Sequence, residues 1–377
     1  MIPKDDIARR LQQVRSELVA RNVDLAIITR PQNIFYLTNY RAAGIAAATS
    51  RLHALVVPAE GEATLMVRSL ERRTASAMTS VKSVTYDDDA DPFDVLADMI
   101  ALDRTSALVG MELQQVSAFQ HQEIASRLGA RVSDVSYQDV SGLVEDLRLQ
   151  LEPKEIEHMV AAAAVTEAGL QAGLDRVRPG ASAGSVIGAV HEAMYEVGQS
   201  DFEKSFVAMW SGPDGGHMHD TQVARTLEEG DVATVEVMGV DNHYYACAQA
   251  TVRVGASTVP DFDDHQRLVH AMHDAARAVV RHGVKAEEVF EAASAVYREA
   301  TGSSYFRRVG GSMGLTAFTL DLVPGNKSIL RRGMPILIQT LVNDPVLIAC
   351  ASTVLVTDDG CQALTRRRGE PPVEHTP

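Results

Sequence analysis

Two polar residues interrupt apolar, strand-like runs. Glu236 ends the run Thr234-Val-Glu, and Gln339 ends the run Leu337-Ile-Gln. A carboxylate is costly to bury inside a sheet unless it is paired. We therefore expect both side chains to point into a shared central pocket. The alternative is that Glu236 lies on the solvent face of its strand.

Two histidines, His217 and His219, follow the glycine-rich stretch Ser211-Gly-Pro-Asp-Gly-Gly216. Histidine is the side chain best suited to proton transfer near neutral pH, and glycines let the backbone approach a ligand closely. An H-x-H pair is also a zinc-binding pattern, but the rest of the chain offers no obvious matching ligands. Two hypotheses therefore stay open for these histidines: a role in proton transfer, or a location on the surface without a chemical role.

A β-hairpin is predicted from residues 232–238 and 244–254, which flank a short Asp-Asn turn. Alternation along the second strand gives one face a common set of residues: Tyr245, Cys247, Gln249 and Thr251. Cys247 and Gln249 would then share the pocket with Glu236. A lone cysteine in a strand is usually a small core residue, and a nucleophile beside a histidine is the alternative.

Two parts of the chain must position these residues. Over the first 150 residues strand-like runs alternate with helical ones, which indicates an α/β domain. Beyond Pro153, which starts a new helix, features recur at one offset: Glu236 and Gln339 are 103 positions apart. We predict an α/β N-terminal domain over 1–151, a catalytic domain of two pseudo-symmetric halves over 152–364, and a flexible tail over 365–377.

The composition limits the partners and the compartment. The chain has 35 Lys+Arg against 50 Asp+Glu, a net charge of −15, so it lacks the dense basic surface that nucleic acids require. No apolar run approaches the roughly 18 residues of a membrane span, and the start does not resemble a signal peptide. Three cysteines without a CxxC pair are typical of a reduced compartment. We expect a soluble, cytoplasmic protein that binds neither nucleic acid nor membrane.

Several motifs resemble landmarks of the pita-bread superfamily of creatinase, prolidase and methionine aminopeptidase. Residues 31–40 (PQNIFYLTNY) resemble the NIxYLTG signature of its N-terminal domain, and residues 147–157 (LRLQLEPKEIE) resemble its linker. Residues 211–213 (SGP), 227–231 (LEEGD) and 353–360 (TVLVTDDG) fall where catalytic-domain landmarks are expected. The resemblance covers nearly the whole chain. It implies an α/β N-terminal domain followed by an α+β pita-bread domain with an internal pseudo-two-fold repeat.

The departures from the superfamily concern its metal ligands. Metal-dependent members bind two ions through Asp, Asp, His, Glu and Glu. The matching positions in this chain are Glu236, Cys247, Gly311, Gln339 and Ala351. Hard divalent ions need several oxygen ligands. The resemblance therefore implies an enzyme with no metal and no cofactor, and one that is not a metallopeptidase.

Two metal-free relatives, creatinase and ectoine hydrolase, serve as models for the site. The resemblance to creatinase implies that His219 is the acid–base catalyst and that Gln249 and Gln339 replace two substrate-binding glutamates. It also places Arg51 where an arginine of the partner subunit holds the substrate carboxylate. The resemblance to ectoine hydrolase implies that Glu236 is a nucleophile or holds a positive centre.

These points together predict a homodimeric, metal-independent hydrolase of a C–N bond, of the amidine or amide type, in a small carboxylate-bearing molecule. His217, Cys247 and Tyr245 join the predicted substrate-binding residues. Two alternatives stay open. One is a non-hydrolytic cyclase, dehydratase or isomerase of a biosynthetic pathway, and the other is a non-catalytic protein that binds a small molecule.

Overall fold

The computed structural model describes residues 1–41, 52–101, 105–200 and 205–371. The chain divides into two compact units, Met1–Arg148 and Leu149–Pro377. This division falls a few residues before the boundary predicted from the sequence. Within the described ranges, no helix is both long enough and apolar enough to cross a membrane.

The first unit is an α/β domain. Its strands are β1 (Leu25–Ile28), β2 (Ala54–Pro58), β3 (Thr64–Arg68), β4 (Lys82–Tyr86), β5 (Ser106–Met111) and β6 (Asp134–Asp139). Its helices are α1 (Lys4–Ala20), α2 (Pro31–Thr38), α3 (Arg72–Met78), α4 (Pro92–Ala101), α5 (Ala118–Gly129) and α6 (Leu143–Leu147). The strands form a six-stranded mixed sheet in the order β4-β3-β2-β1-β5-β6. Apolar strand residues pack with α4 and α5 in one buried cluster, as expected when a sheet buries one face against helices.

A buried polar network centred on Asn33 joins separate elements of this unit. Asn33 is fully buried near the start of α2, and its amide donates hydrogen bonds to Glu112 and, at 2.8 Å, to Glu145. The Arg148 guanidinium donates to Asn33 Oδ1 at 2.9 Å. One uncharged side chain therefore links two carboxylates and an arginine that are distant in the sequence.

Replacing Asn33 with alanine is expected to lower the free energy of unfolding by about 2–4 kcal/mol. The change removes partners from buried charged groups, and their desolvation is then uncompensated. Urea denaturation measures the effect. Gln13→Ala, on the exposed side of α1, is the control and should stay within about 0.5 kcal/mol of the wild type. Equal stability of the two variants would contradict the role given to Asn33.

The second unit is built on one antiparallel sheet. Its strands are β7 (Phe206–Gly212), β8 (Val232–Asp241), β9 (Tyr244–Arg253), β10 (Gly310–Ser312), β11 (Pro335–Asn343), β12 (Leu347–Val356) and β13 (Cys361–Ala363). Its helices are α7 (Pro153–Arg176), α8 (Ala183–Glu196), α9 (Phe262–Val279) and α10 (Ala286–Thr301). The seven-stranded sheet runs β10-β11-β12-β9-β8-β7, with β13 paired to β12. Helices α7 and α8 pack on one half of it and α9 and α10 on the other.

Hydrogen bonds that recur in both halves confirm the predicted pseudo-two-fold repeat. The Gly180 amide donates to the Leu227 carbonyl at 2.8 Å, and the Gly283 amide donates to the Leu330 carbonyl at 2.9 Å. Isolated bridges before α8 and α10 correspond in the same way, joining residue 182 to 226 and residue 285 to 329. In each half, the same bonds therefore join the segment before a helix, α8 or α10, to the segment that precedes a strand, β8 or β11.

The sequence analysis placed Glu236 and Gln339 at the ends of their apolar runs. In the structure, neither residue ends its strand. Strand β8 continues to Asp241 and β11 to Asn343. The residues that follow each polar side chain are largely apolar and buried. A strand with both faces covered gives no periodic pattern from which its end can be read. Both polar side chains therefore lie in the middle of the sheet.

The segment from Thr365 to 371 packs on the second unit, whereas a flexible tail had been predicted from this residue onward. Thr365 is fully buried, and its hydroxyl donates to the Cys247 carbonyl at 2.9 Å. The Arg366 amide donates to the Glu167 carboxylate at 2.7 Å. These polar groups find partners inside the domain, which the charged composition did not indicate. Residues 372–377 lie outside the described ranges.

Candidate active site

Strand β8 presents different residues to its two faces. Val235 and Val237 pack in a buried cluster with Val165 of α7 and Val190 of α8. Because side chains alternate along a strand, Glu236 points to the opposite face. It is only 5% exposed. The face of the sheet away from the helices therefore carries a buried carboxylate.

Four side chains meet on that face and form what we call the Glu236 cluster: Glu236, Cys247, Gln249 and Gln339. The Gln339 amide donates to Glu236 Oε1 at 3.3 Å and to Gln249 Oε1 at 3.1 Å. The Cys247 thiol donates to Glu236 Oε1 at 3.7 Å. Gln249 also lies directly opposite Glu236 in the β8–β9 ladder. The structure thus brings together four of the residues that the sequence singled out.

Burial raises the pKa of Glu236 from 4.5 to about 7. The hydrogen bonds from Cys247 and Gln339 and the positive charge of Arg308 act in the other direction, but burial dominates. A carboxyl group with this pKa exchanges its proton near neutral pH. That property is required of a general acid or base.

The raised pKa of Glu236 predicts a pH-dependent stability. Its contribution is fully present below about pH 4.5, the ordinary value, and is lost as the pH rises through about 7. Each pKa unit corresponds to about 1.4 kcal/mol, so the wild type should lose a few kcal/mol relative to Glu236→Gln across this window. Urea denaturation of both proteins from pH 4 to pH 8.5, a range that includes both pKa values, measures the difference. Parallel stability curves for the two proteins would contradict the shift.

Cys247 is fully buried, and burial together with the neighbouring Glu236 raises the pKa of its thiol well above the ordinary value. A thiolate is the nucleophilic form of cysteine, so this environment keeps the side chain in its unreactive form. The Thr353 hydroxyl bonds both the amide and the carbonyl of Cys247 at 2.9 Å. The surroundings favour the small core residue over the nucleophile.

The two histidines lie on the loop after β7, and both are exposed. The ring of His219 meets the ring of Trp210 edge-on, with centroids 6.3 Å apart. Trp210 is buried and lies opposite Thr234, two residues from Glu236, in the β7–β8 ladder. Among the described residues, neither histidine is hydrogen bonded to Glu236. His219 therefore contacts the ring of Trp210, which lies on the same face of the sheet as Thr234 and Glu236.

His217 faces a different space. It lines a cavity of about 170 Å³ together with Met209, Asp220 and Arg225. Met209 belongs to the cluster packed against α7 and α8. This cavity therefore lies on the helix side of the sheet, away from Glu236.

Two further predicted site residues have different outcomes. Tyr245 is half-buried at the start of β9, and its amide donates to the Gly314 carbonyl at 3.1 Å. Alternation puts it on the same face as Cys247. Arg51 lies outside the described residues.

Sequence reasoning missed three residues: Trp210 on β7, Arg308, whose charge acts on the pKa of Glu236, and Phe318, whose ring packs against Gly311. Trp210 is the only tryptophan of the chain, and its alternation with Met209 on β7 is the signal that could have found it. Arg308 and Phe318 come together only through the fold, where the guanidinium lies 3.6 Å from the ring centroid.

Comparison with known families covers both units. Residues 10–150 match the creatinase/prolidase N-terminal domain, and residues 157–358 match metallopeptidase family M24. The second match alone covers more than half of the chain. This chain belongs to the metallopeptidase family M24.

Solved structures and curated relatives agree with M24. The structure of dipeptidase PepE from Mycobacterium ulcerans is 26% identical, covers 98% of each chain and has a TM-score of 0.83. Prolidase from Pyrococcus furiosus, at 20% identity and a TM-score of 0.81 over 93% of this chain and 99% of its own, shares the fold. A Mycobacterium tuberculosis (strain H37Rv) protein named "Probable dipeptidase PepE" is 29% identical over 94% of this chain and 92% of its own. The predicted α/β domain followed by a pita-bread domain is confirmed.

The predicted metal-independent amidine hydrolase is wrong. M24 is a family of metallopeptidases, and the relatives are named dipeptidases or, in Staphylococcus haemolyticus, an uncharacterized peptidase. These matches do not show that the chain is closer to creatinase or ectoine hydrolase than to the dipeptidases. None of these relatives is named as a non-hydrolytic enzyme or as a non-catalytic binding protein. The prediction failed because it inferred the reaction and the substrate from the metal ligands that this chain lacks. The absence of a ligand residue does not define a substrate.

The chain's own residues can be tested against the metal centre that M24 implies. In the sheet, Ala351 lies opposite both Gln339 and Gln249, and Gln249 lies opposite Glu236. With Cys247 these positions supply one carboxylate, one buried thiol and amides, whereas hard divalent ions need several oxygen ligands. Over the described ranges, no group of three or more His, Cys, Asp or Glu residues is placed to hold a metal ion. The residues present do not fit a pair of divalent ions.

Gly311 on β10 is the remaining one of the five positions that match metal ligands. It lacks a ligand side chain, and the space beside it is also filled. A Cβ atom added to Gly311 would lie 2.4 Å from the Leu320 carbonyl oxygen and 2.8 Å from Phe318 Cδ1. Real Cβ atoms essentially never approach a backbone oxygen so closely. The space that a longer side chain would need is therefore occupied by the chain itself.

Proposed function

We propose that this chain acts on short peptides and that the peptide binds at the Glu236 cluster. Membership of M24 supports the substrate class, as do the dipeptidase names of relatives 26% and 29% identical to it. Within the chain, one observation carries the proposal: Glu236, Gln249 and Gln339 form a buried, hydrogen-bonded group in the middle of the sheet, and Glu236 is its carboxylate. Burying a carboxylate without a paired positive charge costs stability, and groups with a strongly perturbed pKa are concentrated at functional sites.

The chemistry of the Glu236 cluster suits a peptide. A glutamine amide both donates and accepts, as a peptide group does, and the bond between Gln339 and Gln249 holds both side chains in place. Glu236, with a pKa near 7, accepts an N–H of the ligand and holds or releases a proton at neutral pH. The proposal keeps His219 as a second proton-transfer group and Tyr245 as a residue that contacts the ligand, and it gives up His217, which lines the cavity on the helix side of the sheet.

The proposal also includes a cytoplasmic homodimer in which Arg51 of one subunit completes the site of the other. The cysteines Cys247, Cys350 and Cys361 are all free thiols, which supports a reduced compartment. Analytical ultracentrifugation tests the dimer. Mixing an Arg51→Ala variant with a Glu236→Gln variant should restore part of the activity that each lacks. Two inactive variants that stay inactive when mixed would contradict the shared site.

The experiment that tests the function is hydrolysis of a dipeptide panel, including Xaa-Pro substrates, by the purified full-length chain. Released amino acids are quantified by chromatography after EDTA treatment and after addition of Mn²⁺, Co²⁺, Zn²⁺ or Fe²⁺. Release above that of Glu236→Gln in at least one condition supports the proposal. If no dipeptide is cleaved in any condition, the proposal is overturned.

A further inference from the structure

Trp210 lies beside the Glu236 cluster, on the neighbouring strand. In the β7–β8 ladder, Ala208 lies opposite Glu236. Trp210, two residues further on, lies opposite Thr234 and therefore shares the face of Glu236. Diagonal neighbours on adjacent strands are about 7–8 Å apart, which is within reach of an aromatic ring. The indole packs in one buried apolar group with Ala208 and with Leu341 of β11. Trp210 therefore borders the Glu236 cluster on the side of β7.

The indole N–H of Trp210 is a buried donor without a partner. Trp210 is 1% exposed, and its Nε1 makes no hydrogen bond to any of the described residues. The neighbouring hydroxyls differ: those of Thr234 and Thr251 lie 2.8 Å apart, and Thr251 also bonds the Ala349 backbone at 2.9 and 3.0 Å. A buried donor normally has a partner, because its lost hydration is otherwise uncompensated. The indole N–H is therefore available to a ligand.

Two side chains of the loop after β7 pack against Trp210 and its neighbours. Met218 is half-buried and contacts the apolar group that contains the indole. His219 is exposed and meets the indole edge-on. Because both residues belong to a loop, they can move without breaking a hydrogen bond of the sheet. A ligand on the face of Glu236 can therefore reach Nε1 by displacing these two side chains.

We propose that Trp210 binds the peptide by donating a hydrogen bond from its indole N–H to a peptide carbonyl oxygen, and that Met218 and His219 shift to admit it. This inference rests on the proposed function, because it names a second contact by which the same site recognises its ligand. A peptide group offers one N–H and one carbonyl. Glu236 accepts the N–H, and the indole, which can only donate, binds the carbonyl. Together the two residues fix which way the peptide group faces.

The first measurement uses the fact that Trp210 is the only tryptophan of the chain, so a single indole N–H signal reports on it. Full-length protein labelled with [indole-¹⁵N]tryptophan is titrated with alanyl-alanine, alanyl-proline and leucyl-leucine, and NMR spectra are recorded before appreciable hydrolysis. The free protein should show the upfield proton signal of an unbonded indole, and at least one dipeptide should move it downfield. A downfield signal already present in the free protein would show that the donor is paired, and the proposal would be overturned.

The second measurement removes the N–H and keeps the ring. Replacing Trp210 with β-(3-benzothienyl)alanine exchanges the N–H for sulfur at this position alone, because the chain has no other tryptophan. Isothermal titration calorimetry should show dipeptide binding weakened about 3- to 10-fold, as expected for the loss of one uncharged hydrogen bond. The unfolding temperature should not fall, because the N–H has no bond to lose in the free protein. A lower unfolding temperature would contradict the unpaired donor.

Tyr137→Phe is the matched control, because it removes another buried donor that has no partner among the described residues, on β6 of the first unit. It should bind dipeptides with wild-type affinity. Unchanged affinity in the sulfur-containing protein, or an indole signal that no dipeptide moves although dipeptides are cleaved, overturns the role of Trp210 and leaves the peptide function standing. Affinity that depends on the N–H without cleavage of any dipeptide supports Trp210 and overturns the peptide function. Neither binding nor cleavage of any dipeptide overturns both.

Discussion

Replacing Glu236 with glutamine is expected to lower kcat/KM for a dipeptide about 10²–10⁴-fold, the usual contribution of one positioned acid–base group. Glutamine keeps the size of the side chain and its capacity to accept a hydrogen bond from Gln339, but it cannot exchange a proton. Because the carboxyl group is buried and has a pKa of about 7, the neutral amide is also easier to accommodate. The loss should therefore appear in kcat, without unfolding.

The control for Glu236→Gln is Glu291→Gln, which removes an equal formal charge from the exposed side of α10. Steady-state kinetics should show wild-type values for the control, and thermal unfolding should show both variants folded. A Glu236→Gln protein with near-normal kcat would remove Glu236 from the chemistry, whatever the substrate. A rise in KM alone would assign it to binding.

Much of the fold could be predicted from the sequence because strands and repeats are recognised from local patterns along the chain. Alternation in residues 244–254 placed Cys247 and Gln249 on one face, and the structure pairs that strand with β8. The offset of 103 between Glu236 and Gln339 predicted that the two halves converge, and a hydrogen bond of 3.3 Å joins the halves there. Periodicity and repeat spacing depend on neighbours along the chain.

The parts that sequence did not predict depend on tertiary contacts. The strand end after Glu236 was misplaced because both faces of β8 are covered. The burial of Thr365 depends on a hydrogen bond to Cys247 across 118 positions of the chain. The stacking of Arg308 on Phe318 involves two residues that share no motif. The resemblance that singled out His219 did not predict its edge-on contact with the buried ring of Trp210.

Side chains added at Gly311 are expected to destabilise the second unit. The Cβ of Gly311→Ala would lie 2.4 Å from a backbone oxygen and 2.8 Å from the Phe318 ring, so β10 or the loop must move. Overpacking of this kind costs about 1–3 kcal/mol. Gly311→His adds an imidazole to the same closed space and should cost more than about 3 kcal/mol. Urea denaturation at pH 7 measures both variants.

Gly360→Ala is the matched control for Gly311→Ala, because a Cβ added there meets no heavy atom within 4 Å. It should be as stable as the wild type within about 0.5 kcal/mol. If Gly311→Ala is as stable as this control, then Phe318 and the Leu320 carbonyl move aside at little cost. Packing would then not be what excludes a side chain at this position. A destabilised Gly311→Ala that recovers stability when Phe318 is also replaced by alanine would assign the closure to the ring. The same phenylalanine would then both exclude a side chain at Gly311 and support the guanidinium of Arg308.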